Sequence, residues 1–300
     1  MRLGHACQLR GELRVALRCY EDAMALGDQL AVLRTRAEAR WGMTRAHGLA
    51  GDLESARRDA AEGFRIARDT GDTWLTALLQ IALGASLALA RRDREASALL
   101  DDALAGFRSC GDPFGRAATR LWLALASWRL NQRERALTHL DDALTVAQSQ
   151  HYDYLLTTRT LLGFQDARMI VPLMVEMRRR GRNIGYISRL LAAMGLERVV
   201  AHPGYQLRVQ TLGAFSVWRG ESEVTEHEWQ RRKARQLLQL LITCRGRMLQ
   251  RDEIFELLWD KETPDAASRD FRVTLTALNK ALEPERAGDE TPSFIFRAYW

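Results

Sequence analysis

The densest group of residues that could bind a polyanion lies between positions 231 and 251. This stretch contains no acid and the following basic residues: Arg231, Arg232, Lys233, Arg235, Arg245, Arg247 and Arg251. Further along, polar residues recur at helical spacing: Arg269, Arg272, Thr276 and Lys280. A helix with such a face, after a basic helix and a tight turn, can enter the major groove of DNA. The alternative is a small helical domain with an ordinary solvated face, and the pattern alone leaves both open.

Three helices are predicted to position these residues. The first covers the basic stretch, the second runs from Arg251 to Trp259, and the third runs from Ala266 to Leu282. The turn Thr263-Pro264-Asp265 separates the last two. Apolar residues at helical spacing predict the buried stripe of the third helix: Phe271, Leu275, Leu278 and Leu282.

Short alternating segments before these helices predict strands. Apolar and polar residues alternate over 207–212 and again over 215–218, and a third short strand is expected near Val224. Earlier in the chain, Ala201-His-Pro-Gly204 interrupts an Ala/Leu/Arg-rich sequence in which proline is rare. We therefore place the domain boundary at residues 197–205, after a mostly helical first part.

Net charge by itself does not favour DNA binding. The formal charge is +6, but from Tyr205 onward the chain has 15 basic and 15 acidic residues. Only the local separation of charge favours DNA binding, because the acids precede the acid-free stretch. A local basic patch is enough to attract phosphates, since this attraction is short-ranged at physiological salt.

Composition and motifs argue against several other functions. No apolar run is long enough to span a bilayer, and no signal peptide is evident. The chain has no Gly-x4-Gly-Lys-Ser/Thr loop, its six histidines are dispersed, and its four cysteines lack metal spacing. We therefore expect no catalytic activity, no cofactor and no metal, in a cytoplasmic protein with reduced thiols.

The first part of the chain contains an internal repeat of 40 residues. One column of small residues comprises Ala16, Ala56, Ala96 and Ala136. A second comprises Ala23, Gly63, Ala103 and Ala143. Gly-Asp pairs at Gly27, Gly71 and Gly111 are expected to end each unit, with His151-Tyr-Asp153 in the fourth. Such columns suit stacked helical hairpins and predict an α-solenoid. A solenoid can bind a partner or serve only as a spacer.

Residues 1–162 resemble tetratricopeptide repeats of the long kind found in bacterial regulators of the maltose-regulon-activator type, with the small-residue columns as the matching feature. Residues 163–200 look like the pair of short helices that closes such arrays, followed by a linker. Within them, the Arg178–Arg182 cluster is best explained as a solvated helix end. The resemblance implies a mainly α fold, in which a tetratricopeptide-like α-solenoid precedes a small α+β domain.

Residues 205–300 resemble the response-regulator-type winged helix, in the variant of the antibiotic-regulatory-protein (SARP) family of bacterial activators. The match lies in 207–213, 232–238, 251–259 and 271–283, in the family order. The resemblance implies that the third helix reads the major groove of double-stranded DNA, and that RNA polymerase is a partner. It implicates Arg269, Arg272, Thr274, Thr276 and Lys280 in reading, and Arg251 at a phosphate. Further possible phosphate contacts are Arg232, Lys233, Arg247 and Arg297.

Two departures from the family pattern accompany this resemblance. The family usually has basic residues at the positions of Thr276, Ala277 and Asn279, so the reading face is less cationic. The sequence also ends where the wing hairpin should turn back, with Ser293 to Phe296 as the expected outgoing strand. From this we expect a fragment or shortened relative, without the ATPase and activator modules of longer relatives, that binds DNA more weakly than an extended form.

Together these features predict a two-domain DNA-binding transcription regulator whose repeats bind a partner or signal. The alternative is a non-catalytic repeat scaffold whose C-terminal domain contacts protein. A positive surface around the third helix favours the regulator, and a mixed surface favours the scaffold.

Overall fold

Helices follow one another at 20-residue intervals through most of the first unit. In this computed structural model the described residues are 1–197, 199, 202–220, 222–245, 247–260, 262–286 and 292–295. The chain separates into two units, Met1–Val199 and Val200–Trp300. The repeat helices are α1 (Arg2–Arg10), α2 (Leu13–Gln29), α3 (Leu33–Leu49), α4 (Leu53–Thr70), α5 (Thr73–Leu89), α6 (Asp93–Ser109), α7 (Pro113–Arg129) and α8 (Arg133–Ser149). None of the described helices is long and apolar enough to cross a bilayer.

A residue with left-handed backbone occupies the turn after each repeat helix. These residues are Gly11, Ala31, Gly51, Gly71, Arg91, Gly111, Asn131 and His151. The prediction that Gly27-Asp28 ends the first unit is wrong, because Gly27 is buried inside α2 and the turn comes at Ala31. Gly27 is needed for a different reason: a Cβ there would lie 3.0 Å from the Arg36 side chain on the next helix.

The small-residue columns lie where helices approach closely, as the 40-residue register predicts. Ala16, Ala56, Ala96 and Ala136 are all fully buried. At Gly63 a Cβ would come within 2.6 Å of Leu79 Cδ2 on α5. The predicted solenoid of helical hairpins is therefore confirmed. The small-residue columns lie on α2, α4, α6 and α8, where they are packing positions.

Short elements follow the last repeat within the first unit. They are α9 (Asp153–Thr157), a 3-10 helix over Ala167–Ile170, α10 (Val171–Arg179) and α11 (Ile184–Ala193). Residues 158–166, which we name the strap, form neither helix nor strand. In the Arg178–Arg182 cluster, which begins in the last turn of α10, Arg179 pairs with Glu176 at 2.7 Å and Arg182 with Asp141 at 2.5 Å.

The second unit places helices against a small antiparallel sheet. The strands β1 (Leu207–Gln210), β2 (Ser216–Arg219) and β3 (Ser222–Glu223) pair in the order β1-β2-β3. The helices are α12 (Arg232–Thr243), α13 (Arg251–Leu258) and α14 (Pro264–Leu282). Their core includes Val217, Trp229, Leu237 and Leu278. Helix α14 begins earlier than predicted, because proline suits the first position of a helix and Thr263 precedes it as N-cap.

The outgoing wing strand predicted at Ser293 to Phe296 does not form in its described part, which is residues 293–295. The reason lies at Glu283, whose Oε1 accepts from the backbone N–H of Ser293 at 2.7 Å and of Phe294 at 3.1 Å. Two amide groups bound to one carboxylate are not available to a strand ladder. Residues 296–300, and with them Phe296, Arg297 and Trp300, lie outside the described residues.

Ala103 tests whether the 40-residue register is a packing register. This residue is fully buried on α6, so Ala103→Leu inserts three carbons into a closed contact. We expect the free energy of unfolding to fall by about 1–3 kcal/mol. The matched control is Ala105→Leu, on an exposed position of the same helix, which should leave urea unfolding almost unchanged. Equal effects of the two substitutions would contradict the assignment.

Candidate nucleic-acid interface

Helix α14 presents one continuous exposed stripe of polar and basic side chains. Arg269, Arg272, Thr276 and Lys280 are all exposed. Their spacing of three or four residues keeps them on one face, over about 16 Å of helix. In the middle of the stripe, Val273 is 50% exposed. Cations, a hydroxyl and an aliphatic group along such a face are the groups that contact phosphates, base edges and thymine methyls.

The cations of this stripe are free to meet a ligand. Within the part of the chain that the structure describes, Arg269, Arg272 and Lys280 make no ion pair or side-chain hydrogen bond. The Thr276 hydroxyl donates to the Arg272 carbonyl of its own helix at 2.9 Å, which leaves its methyl and an oxygen lone pair outward. An acid, Asp265, lies one turn before Arg269 on the same face. The stripe is therefore basic from its second turn onward.

The prediction that Thr274 contacts DNA is wrong. Thr274 is fully buried, on the core side of α14 beside Leu275 and Leu278. It follows Phe271 by three residues and precedes Leu278 by four, which is the spacing of a buried helical stripe. Its hydroxyl oxygen has no hydrogen-bond partner. The side chain therefore contributes its methyl to the core and leaves a polar atom unsatisfied there.

The acid-free stretch of the sequence does not remain free of acids in the fold. Lys233 Nζ lies 2.8 Å from Glu262 Oε1, and Arg247 pairs with Glu253. Other pairs join Arg231 to Asp270 and Arg235 to Glu226. Because these carboxylates come from other elements, they could not be counted within the stretch itself. Of the predicted phosphate contacts, Lys233 and Arg247 are thus neutralised.

Arg232 and Arg251 remain accessible at the starts of two helices. Arg232 is the first residue of α12, is exposed, and has no charged partner among the described residues. It lines an open cleft of about 550 Å³ together with His227 and Gln230. Arg251 begins α13, is exposed, and donates to the Ser268 hydroxyl of α14. Backbone N–H groups at a helix start add to the attraction of such positions for phosphate.

Asp270 joins the three helices of the second unit. Its carboxylate accepts from Arg231 at the start of α12 and, at 2.9 Å, from the indole Nε1 of Trp259 after α13. Lys233 Nζ lies 3.7 Å away and 4.6 Å from the Trp259 ring centre. Burial raises the pKa of Asp270, but hydrogen bonds from Arg231 and Trp259 outweigh it, so that the pKa is lowered. The carboxylate therefore stays ionised and links α14 to the start of α12 and to the end of α13.

The C-terminal end of α14 is held by the sheet, a contact that the sequence analysis did not anticipate. Arg219 Nη1 on β2 donates to the Ala281 carbonyl at 2.8 Å, and its other nitrogen pairs with Glu228. The Tyr205 hydroxyl donates to the Leu282 carbonyl at 2.7 Å. These donors satisfy carbonyls that a helix end leaves without intrahelical partners. No short-range pattern marks Arg219, since it lies 62 residues from Ala281.

A structural role for Thr274 can be tested by an isosteric substitution. Thr274→Val replaces the unsatisfied buried hydroxyl by a methyl and keeps the shape of the side chain. We expect the free energy of unfolding to rise by about 1 kcal/mol, with unchanged DNA affinity. The control is Thr276→Val on the exposed face, for which the change in stability should be within about 0.5 kcal/mol. A loss of stability in Thr274→Val, measured by urea unfolding, would refute the packing argument.

The Arg219–Glu228 pair makes the second unit sensitive to acid. Hydrogen bonds from Arg219 and then from the Thr225 backbone lower the pKa of Glu228 to about 2, from an ordinary value of 4.5. Because the folded state has the lower pKa, the stabilisation is complete above pH 4.5 and is lost as pH falls towards 2. We expect Glu228→Gln to remove this part of the pH dependence of α14 amide exchange. Glu223→Gln, at an exposed carboxylate on β3, should retain it.

Among the described residues, no group of three or more His, Cys, Asp or Glu side chains could hold a metal ion. No protein-family model matches the chain, and no curated protein matches it either. Among solved structures, the chain is similar to BtubC (BKLC) from P. vanneervenii, with 13% sequence identity and a TM-score of 0.47. That alignment covers 97% of this chain and 99% of the other. A likeness this weak carries no argument about function.

Proposed function

We propose that this protein is a sequence-specific DNA-binding transcription regulator, in which α14 enters the major groove. The observation that carries the proposal is the exposed stripe of cations, Arg269, Arg272 and Lys280, which pair with no carboxylate in the described part of the chain. Unpaired cations attract phosphates most strongly, because no protein carboxylate competes for them. The stripe lies on a helix that is anchored through Asp270 in its second turn and by Arg219 at its C-terminal end, as a reading element requires.

We assign base contacts and phosphate contacts to different residues of the second unit. Val273 and Thr276 lie between the cations and offer methyl groups and an oxygen to base edges. To Arg232 and Arg251, which are exposed at the starts of α12 and α13, we assign the phosphates that flank the groove. The resemblance to activators adds RNA polymerase as a partner, and the repeats serve as the module that binds a partner or signal.

A scaffold whose second unit binds only protein is the competing proposal. The ion pairs of Lys233 and Arg247 favour it, since they remove charge from the surface near α12 and α13. The same pairs do not reach the outer face of α14, where the cations stay unpaired. DNA binding that depends on salt and on this face separates the two proposals.

Substitution of the stripe cations tests the proposal directly. We expect Arg272→Ala and Lys280→Ala to weaken binding to duplexes selected from a random library, with thermal unfolding unchanged because both residues are exposed. A lost phosphate contact should also lower the slope of log K against log salt by about one. A lost base contact should instead cost about 1–3 kcal/mol on selected DNA and less on random DNA.

The matched control is Arg14→Ala, at an exposed arginine on α2 in the repeats. This variant removes the same charge from the first unit and should keep both the affinity and the salt slope. Fluorescence anisotropy at two salt concentrations suffices for the comparison. If both stripe variants behave like Arg14→Ala, or if the unaltered chain binds no duplex, the scaffold proposal is the better one.

A further inference from the structure

Arg45 is a buried cation that has no carboxylate partner among the residues the structure describes. Its side chain is 1% exposed, and burial lowers the pKa of its guanidinium to about 10. Nη2 donates to the Gly163 carbonyl at 2.5 Å, whereas Nε and Nη1 are buried and bind no acceptor. Buried charges in proteins are normally paired and fully hydrogen-bonded, because an unpaired one is costly. This arginine therefore stands apart from the exposed ion pairs of the repeats.

The repeat register places Arg45 on a surface shared by three helices. The positions 40 residues apart in this column are Arg45 on α3, Ala85 on α5 and Leu125 on α7. Helix α5 contacts both α3 and α7. The guanidinium lies 5.2 Å from the ring centre of Trp122 on α7. A small residue at position 85 leaves room for a long side chain to cross from α3 towards α7.

The strap, residues 158–166, covers this surface. Its Leu162 carbonyl accepts from Trp122 Nε1 at 2.8 Å, and its Phe164 ring lies edge-on to Trp122 at 4.5 Å. Leu162 and Phe164 are buried, although the strap has no helix or strand. The strap thus supplies apolar side chains and neutral carbonyls to a surface that also contains a positive charge. Gln165 Nε2 in the strap is itself buried without an acceptor.

We propose that this surface is a binding site for an apolar peptide segment with a free carboxylate, and that the strap occupies it when that segment is absent. Once the strap withdraws the Gly163 carbonyl from Nη2, the Nε and Nη2 side of the guanidinium can donate two parallel hydrogen bonds to one carboxylate. The positive charge of Arg45 favours a carboxylate in the ligand, and Trp122 with its apolar neighbours favours apolar side chains in the peptide. A doubly charged phosphate would be only half neutralised by Arg45.

This proposal deepens the partner-binding role proposed above for the repeats and does not depend on DNA binding. Its test uses the full chain and no DNA, so that failure of one proposal is distinguishable from failure of the other. The probes are two peptides with the strap sequence Leu-Leu-Gly-Phe, acetylated at the N-terminus. One ends in a free carboxylate and the other in an amide, so they differ only in the group that Arg45 would bind.

Calorimetry should show that the acid peptide binds about ten- to hundred-fold more tightly than the amide. Arg45→Gln should abolish that difference. Phe164→Ala removes the ring that holds the strap against Trp122 and should increase the affinity for the acid peptide, because the strap then competes less. Leu162→Ala provides a second weakened strap if Phe164→Ala fails to fold, as judged by circular dichroism. Hydrogen exchange in the strap should become faster when the acid peptide binds.

Three results would overturn the proposal. One is equal binding of the acid and amide peptides, and a second is the absence of binding both to the unaltered chain and to a folded strap variant. The third is slower exchange in the strap on binding, which would mean that the peptide binds on top of the strap and does not replace it. In each case Arg45 would be only a structural anchor for the Gly163 carbonyl.

Discussion

The carboxylate of Asp270 is the contact on which the arrangement of the second unit depends. One oxygen accepts from Arg231 and the other from Trp259, so that α12, the end of α13 and α14 meet at one charged group. The same contact neutralises Arg231 just before α12 and occupies the carboxylate that directly follows Arg269 in the sequence. Within the described part of the chain, Asp270 is therefore engaged by Arg231 and Trp259 and does not pair with the cations of the stripe on α14.

Much of the architecture could be predicted from local patterns. Small residues at 40-residue spacing predicted the packing columns, and alternation over 207–212 predicted a strand, of which the structure forms Leu207–Gln210. The turns were harder to identify, because half of them use residues other than glycine, such as Ala31 and Asn131. The turns without glycine are recognisable only because a left-handed residue recurs every 20 positions, and that recurrence is seen in the backbone and not in the residue types.

The errors at the candidate site arise from contacts between distant residues and from a role carried over by resemblance. Glu262 and Glu226 neutralise basic residues that lie 29 and 9 positions away, which a count within the acid-free stretch cannot show. Only the family resemblance implicates Thr274 in reading DNA, whereas its spacing from Phe271 and Leu278 is that of the buried stripe. Whether a threonine in a helix is buried depends on the face on which it lies. The helical period of the apolar residues therefore predicts the burial of Thr274 better than the resemblance does.

The arginines of this chain differ in the surroundings of their charge. Those in exposed ion pairs, such as Arg182 with Asp141, contribute little because water screens them. Exposed and unpaired ones, such as Arg272, are stable in water and stay available to phosphates. A buried and unpaired one, Arg45, has neither water nor a counter-ion, so the folded state is less stable than it would be with an apolar side chain there. Only the burial of Arg45 destabilises the fold without forming an ion pair among the described residues. A carboxylate supplied by a partner would form that ion pair.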